Sequence, residues 1–101
     1  MANQNWLPSK TSLGGRFRTT DRVVATKQAD TTILLDLRGG RYYRLNPVGG
    51  LIWSVLTTGA SMDCVLTRVR EEFDASDKQL TNDVEEFIGT LLSAEMVRRA
   101  D

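Results

Sequence analysis

The chain has no histidine, one cysteine and two prolines among its 101 residues. Without histidine it lacks the side chain that most often moves protons near neutral pH and activates a serine or cysteine nucleophile. Cys64 has no second cysteine to pair with, which excludes an internal disulfide. It falls on the far side of its helix from the apolar stripe and reads as a structural thiol. Charge of one sign is not in excess, since thirteen Lys and Arg balance thirteen Asp and Glu. A dedicated duplex-DNA binder draws affinity from phosphate neutralisation and carries a basic surplus, which is missing here. No apolar run approaches the ~20 residues of a membrane span. The opening MANQNWLPSK has neither the charged region nor the apolar run of a secretory signal. A cytoplasmic protein without membrane contact is the expectation. Metal and cofactor motifs are also wanting. Glu71, Glu72, Asp74 and Asp77 crowd together, but their spacing matches no calcium loop and reads as a solvated surface. Gly39-Gly40 and Gly49-Gly50 form neither of the common phosphate-binding glycine patterns. No cofactor and no catalytic residue are expected.

What is present is enough apolar residue, 41%, for one folded domain. Residues 1–21 are polar, with Trp6, Leu7, Leu13 and Phe17 scattered among them. They read as a flexible N-terminal arm ahead of a domain over 22–101. Residues 23–26 are rich in β-branched side chains and predict a first strand. Ala29-Asp30 turns the chain into a second strand over 32–37, with Ile33, Leu35 and Leu37 at period two. Arg38-Gly39-Gly40 closes a hairpin onto a third strand. A three-residue loop would set Leu35 opposite Tyr43 and Ile33 opposite Leu45, leaving Tyr42 and Arg44 on the other face.

Asn46-Pro47 starts a helix. Asn supplies a cap, and Pro at the first helical position lacks an N–H that would have no partner there. Val48, Leu51, Ile52, Val55 and Leu56 make its apolar stripe, and Gly59 ends it. Ser61 caps a second helix with the stripe Met62, Val65, Leu66, Val69 and Phe73. Ser76, with Gln79 three residues on, opens a third. Its stripe is Leu80, Val84, Phe87, Ile88 and Leu91, and it should end near Ser93, because Glu95 would fall on that stripe. The expected fold is α+β. A three-stranded antiparallel sheet is followed by three helices, like a winged helix-turn-helix with its wing moved to the front.

Two function classes fit that order. The third strand ends the meander, so one side of it is open to a strand from a partner, with Arg41 and Arg44 guarding against promiscuous pairing. Tyr42 and Tyr43 offer ring contacts there, although they also read simply as strand residues. The alternative is a winged-helix DNA-binding regulator. Its reading helix would open Asp77-Lys78-Gln79 and continue through Asp83, Glu85 and Glu86, meeting phosphates with like charge. Counted at 100° per residue, the third helix carries an apolar stripe about 140° wide once Leu92 is included. That is more than one sheet needs, and the surplus beside an open edge suggests a groove.

The string LLDLRGGRYYRLNPVGGLIW, with VLTRVREEFD and VEEFIGTLLSAEMV after it, resembles the PqqD-like family, the recognition elements of ribosomally made precursor peptides. Within it, RYYRLNPVG-LIW is most similar to the stand-alone leader-binding proteins of lasso-peptide biosynthesis. The resemblance covers about residues 22 to 98. It implies a non-catalytic protein that binds the leader segment of a precursor peptide. The bound peptide would be presented to a separate leader-cleaving cysteine protease and to an ATP-dependent cyclase. In the family the leader adds as a strand to the third strand and lies against the third helix. Carried over, this implies a peptide site of Arg41, Tyr42, Tyr43, Arg44, Leu45 and Asn46. The helix residues it implies are Asp83, Val84, Phe87, Ile88 and Leu91. A monomer and a weak or strand-swapped dimer both remain open.

Overall fold

A computed structural model describes residues 15–100. The strands are β1 (Arg16–Thr19), β2 (Val23–Gln28), β3 (Thr31–Asp36) and β4 (Arg41–Leu45), followed by helix α1 (Pro47–Leu56). After these come β5 (Ala60–Ser61), α2 (Met62–Glu72), α3 (Asp77–Ser93) and β6 (Val97–Arg99). The expected meander is the antiparallel sheet β2-β3-β4, and the three expected helices follow it. The fold is α+β.

The helix starts are set by local chemistry. The Asn46 side chain accepts the Gly49 N–H at 2.8 Å, with Pro47 at the first helical position. The Ser61 hydroxyl accepts from Cys64 N–H and that of Ser76 from Gln79 N–H, each at 3.2 Å. α3 stops where expected. Glu95 takes a positive φ of 61° beyond its end, and the Met96 N–H returns to Leu91 O at 3.0 Å. That bond satisfies a terminal carbonyl and turns the chain out of the helix.

Two expectations need correction. First, the hairpin register is shifted by one residue. Leu34, not Leu35, faces Tyr43, and Thr32, not Ile33, faces Leu45. The connection has four residues, 37–40, because Asp36 organises it. The Asp36 carboxylate accepts the Arg38 N–H at 3.0 Å, and its carbonyl accepts the Gly40 N–H at 2.7 Å. Gly40 supplies the positive φ of 69° that the turn requires. Leu34 is therefore fully buried, while Leu37 leaves the strand for the exposed loop. The two faces expected for β4 hold: Tyr43 and Leu45 look inward, and Tyr42 and Arg44 outward.

Second, residues 16–19 do not belong to an arm. They form β1, the middle strand of a second sheet, β5-β1-β6. Phe17 pairs with Ala60 and Arg99 and is completely buried. Residues 1–14, with Trp6, Leu7 and Leu13, lie outside the described residues.

One core joins both sheets. Leu34 and Leu45 from the first sheet and Phe17, Ala60 and Val97 from the second meet Ile52, Trp53 and Leu56 of α1. Val65 and Val69 of α2 and Val84, Ile88 and Leu91 of α3 complete it. No helix among the described residues is long and apolar enough to cross a membrane.

Candidate functional site

β4 is the edge of its sheet, with β3 as its one neighbour among the described residues. Half the backbone N–H and C=O groups of 41–45 therefore point away from the sheet. Beside this edge runs a cleft of about 480 Å³ between the end of β4 and the N-terminal half of α3. Its floor is apolar, from Leu45, Val48 and Ile52 on one side to Leu80 and Phe87 on the other, with Phe73 at one end. The rims carry opposite charge: Arg44 lies on the strand side, and Asp74 and Asp83 on the helix side. An extended peptide would find an unpaired strand edge, an apolar floor and both signs of charge there, which is the requirement for strand addition with side-chain pockets.

The distance between β4 and α1 is held small by Gly49. A Cβ built there would sit 3.3 Å from Leu45 Cβ and 3.6 Å from Phe87 Cζ, so a side chain at this position would enter the cleft. Gly50 is tighter still, because its Cβ would come within 2.7 Å of Thr32 Oγ1 on β3.

The structure brings only part of the anticipated set together. Arg44, Leu45, Asn46, Asp83 and Phe87 line the cleft. Arg41 and Tyr42 are exposed along the same strand, and Tyr43 is half-buried on its inner face. Val84, Ile88 and Leu91 are not on the cleft wall. They are buried in the core, on the side of α3 that faces α2 and β6. Asp83 and Phe87, one turn apart, form the flank that borders the cleft. Phe73, Gln79 and Leu80 also line it, although in the sequence they read as stripe and cap residues and not as part of the site. Gln79 and Leu80 had a signal, since they precede Asp83 by about one turn on the same flank.

At the opposite end of the hairpin Glu95 is a charge node. Its carboxylate meets Arg22 at 2.5 Å and Arg38 at 3.2 Å. The Arg22 hydrogen bond and charge, with Arg38 adding to them, hold the carboxyl below its usual range. This node ties the start of β2 and the hairpin loop to the end of α3. Cys64 is exposed and does not line the cleft. Among the described residues no cluster of three His, Cys, Asp or Glu side chains could hold a metal.

An α+β fold with an open strand edge beside an apolar helix-lined cleft defines a peptide-recognition class of protein. Residues 31–97 match the family described as Coenzyme PQQ synthesis protein D, PqqD, and the chain belongs to that family. Among solved structures, "TbiB1 in Complex with the TbiA(beta) Leader Peptide" superposes with a TM-score of 0.73 at 28% identity, over 83% of this chain and 99% of that one. "Lasso peptide synthetase B1 complexed with the leader peptide" superposes with a TM-score of 0.70 at 24% identity, over 81% and 96%, and speaks for the fold alone. Comparison with curated protein sequences finds no match.

Proposed function

We propose that this chain binds the leader segment of a ribosomally made precursor peptide by strand addition to β4. The observation that carries the reading is the unpaired edge of 41–45 lying directly beside the Leu45–Phe87 cleft. Membership of the PqqD family and the similarity to a TbiB1–leader complex support it. The chain acts as a non-catalytic cytoplasmic module. It hands the leader to a separate cysteine protease that removes it and to an ATP-dependent cyclase that closes a lasso ring. Arg41, Tyr42, Tyr43, Arg44, Leu45 and Asn46 hold the peptide backbone and its flanking side chains, and Asp83 and Phe87 face it from α3. The DNA-binding alternative has no support. The exposed face of α3 is acidic, and the structural comparison leads to a leader-peptide complex. The test is titration of the labelled chain with a synthetic leader peptide of a lasso precursor, the TbiA(beta) leader first. Micromolar or tighter binding with amide shifts clustered at 41–46 is expected. Saturable binding with shifts confined to other elements would remove β4 as the site.

A further inference from the structure

A second cavity, of about 640 Å³, lies on the other side of α1, against β2. The sheet has two edges, and β2 is the one opposite β4. α1 covers β3 and leaves β2 bare. Leu34 is buried, but Ala25, which pairs with it and shares its face, is exposed. The result is a groove walled by Ala25 and Lys27 on the strand and by Pro47, Leu51 and Ser54 on the helix.

Two buried side chains that carry a polar atom line this groove without a hydrogen-bond partner. Thr32 is 9% exposed and Trp53 is 4% exposed. Neither the Thr32 hydroxyl nor the Trp53 indole N–H has a hydrogen-bond partner among the described residues. Buried donors of this kind are nearly always satisfied, the indole N–H in particular. An unsatisfied pair on the wall of a groove that mixes Ala25, Pro47 and Leu51 with Lys27, Asp30 and Glu72 calls for an acceptor from outside. A peptide carbonyl next to an apolar side chain supplies what Trp53, Thr32 and Leu51 lack.

The groove adjoins the leader cleft. Phe73 lines both cavities. The first turn of α1 stands between them, giving Pro47 and Gly50 to one and Val48 and Gly49 to the other. A peptide seated along β4 and longer than that strand meets this turn as it leaves the cleft.

We propose that the α1–β2 groove is a second subsite, holding the stretch of the same precursor peptide that continues past the end of β4. There it presents an apolar side chain and a backbone carbonyl to Trp53 and Thr32. This rests on the leader-binding reading, and the experiment separates the two. Two probes are used: the synthetic leader of the titration above, and the same peptide trimmed to the residues that pair with 41–46. Both are titrated into the wild-type chain and into Ala25→Trp, which fills the groove from an exposed position away from the β4 cleft. The indole N–H signal of Trp53, told from that of Trp6 by Trp6→Phe, is followed in ¹⁵N-labelled protein. The expected result is a loss of tenfold or more for the full leader on Ala25→Trp, with the trimmed peptide unaffected. The Trp53 signal should shift with the full leader only. If both peptides bind both proteins alike and the Trp53 signal stays still, the groove proposal fails and leader binding stands. If neither peptide binds the wild-type chain, leader binding fails and the groove proposal with it. If deleting residues 1–14 alone shifts the Trp53 signal, the groove belongs to that segment and the proposal is overturned.

Discussion

Adding a single methyl group at Gly50 should destabilise the protein, and removing one side chain on β3 should reverse the sign. Gly50 lies in α1, and its N–H makes the first helical bond to Asn46 O at 2.8 Å. In a free helix, Gly→Ala would stabilise by about 0.5–1 kcal/mol, because alanine loses less backbone entropy. Here the new Cβ would lie 2.7 Å from Thr32 Oγ1 and 3.5 Å from Thr32 Cβ. Favourable contacts between such atoms begin at about 3.5 Å. Thr32 has little freedom to swing clear. Its oxygen sits on Cβ, two bonds from the strand backbone, and a β-branched side chain has few χ1 rotamers open to it. Overpacking of this kind costs about 1–3 kcal/mol. The net effect of Gly50→Ala is therefore a loss of roughly 0–2.5 kcal/mol, centred near 1, once alanine's smaller loss of backbone entropy in the helix is set against the clash. In a Thr32→Ala background the obstacle is gone, and Gly50→Ala should stabilise by about 0.5–1 kcal/mol. Urea unfolding of the four proteins measures this as a double-mutant cycle, with midpoint shifts on the order of 1 M. Equal effects of Gly50→Ala in both backgrounds would show that α1 does not approach β3 this closely. The position of α1 relative to β4, and so the shape of the cleft, would then be wrong.

Three further outcomes follow from the same contacts. Phe87 is half-buried between Gly49 and the cleft. Phe87→Ala should cost less than the about 3–5 kcal/mol of a fully buried phenylalanine, yet weaken the leader tenfold or more. Melting and titration of one sample decide, and a core-sized loss with normal affinity would return Phe87 to the core. Asn46→Ala removes the acceptor of the Gly49 N–H and should cost about 1 kcal/mol, while Asn46→Asp should keep the cap; urea midpoints separate the two. Glu95→Gln should lower the melting temperature at neutral pH and matter less in acid. The folded carboxyl is held below its ordinary value, so its ion pairs with Arg22 and Arg38 stabilise fully above that ordinary value and are lost as pH falls through the folded pKa. Both partners are exposed, so added salt should also shrink the difference. A wild-type-to-variant gap that is independent of pH would contradict the charge node.

The features legible in the sequence are those decided within a few residues. Asn46-Pro47, Ser61 and Ser76 each start a helix because a side-chain oxygen reaches an N–H three positions on. β1 was not legible. Phe17 owes its burial to pairing with Ala60 and Arg99, and its own neighbours are polar. The hairpin register failed for a nearer reason. Alternation of Ile33, Leu35 and Leu37 suggested one face, but Asp36 built the turn and placed Thr32 and Leu34 inward instead. The site was half legible. Periodicity finds the apolar stripe of α3, but it does not say which margin meets the core. Val84, Ile88 and Leu91 went to the core, and Asp83 and Phe87 to the cleft.

Strand addition itself is tested most directly by methylating, one at a time, the backbone nitrogens of the synthetic leader and titrating each peptide into the chain. Along an added strand alternate N–H groups face the edge. Affinity should therefore fall at every second position across the stretch beside 41–45, by about 1 kcal/mol for each lost bond. The intervening positions should bind as the parent does. A loss spaced three and four residues apart would mean a helical leader in a groove between helices, and a flat profile would mean binding without main-chain pairing. Either result would contradict recognition at the β4 edge.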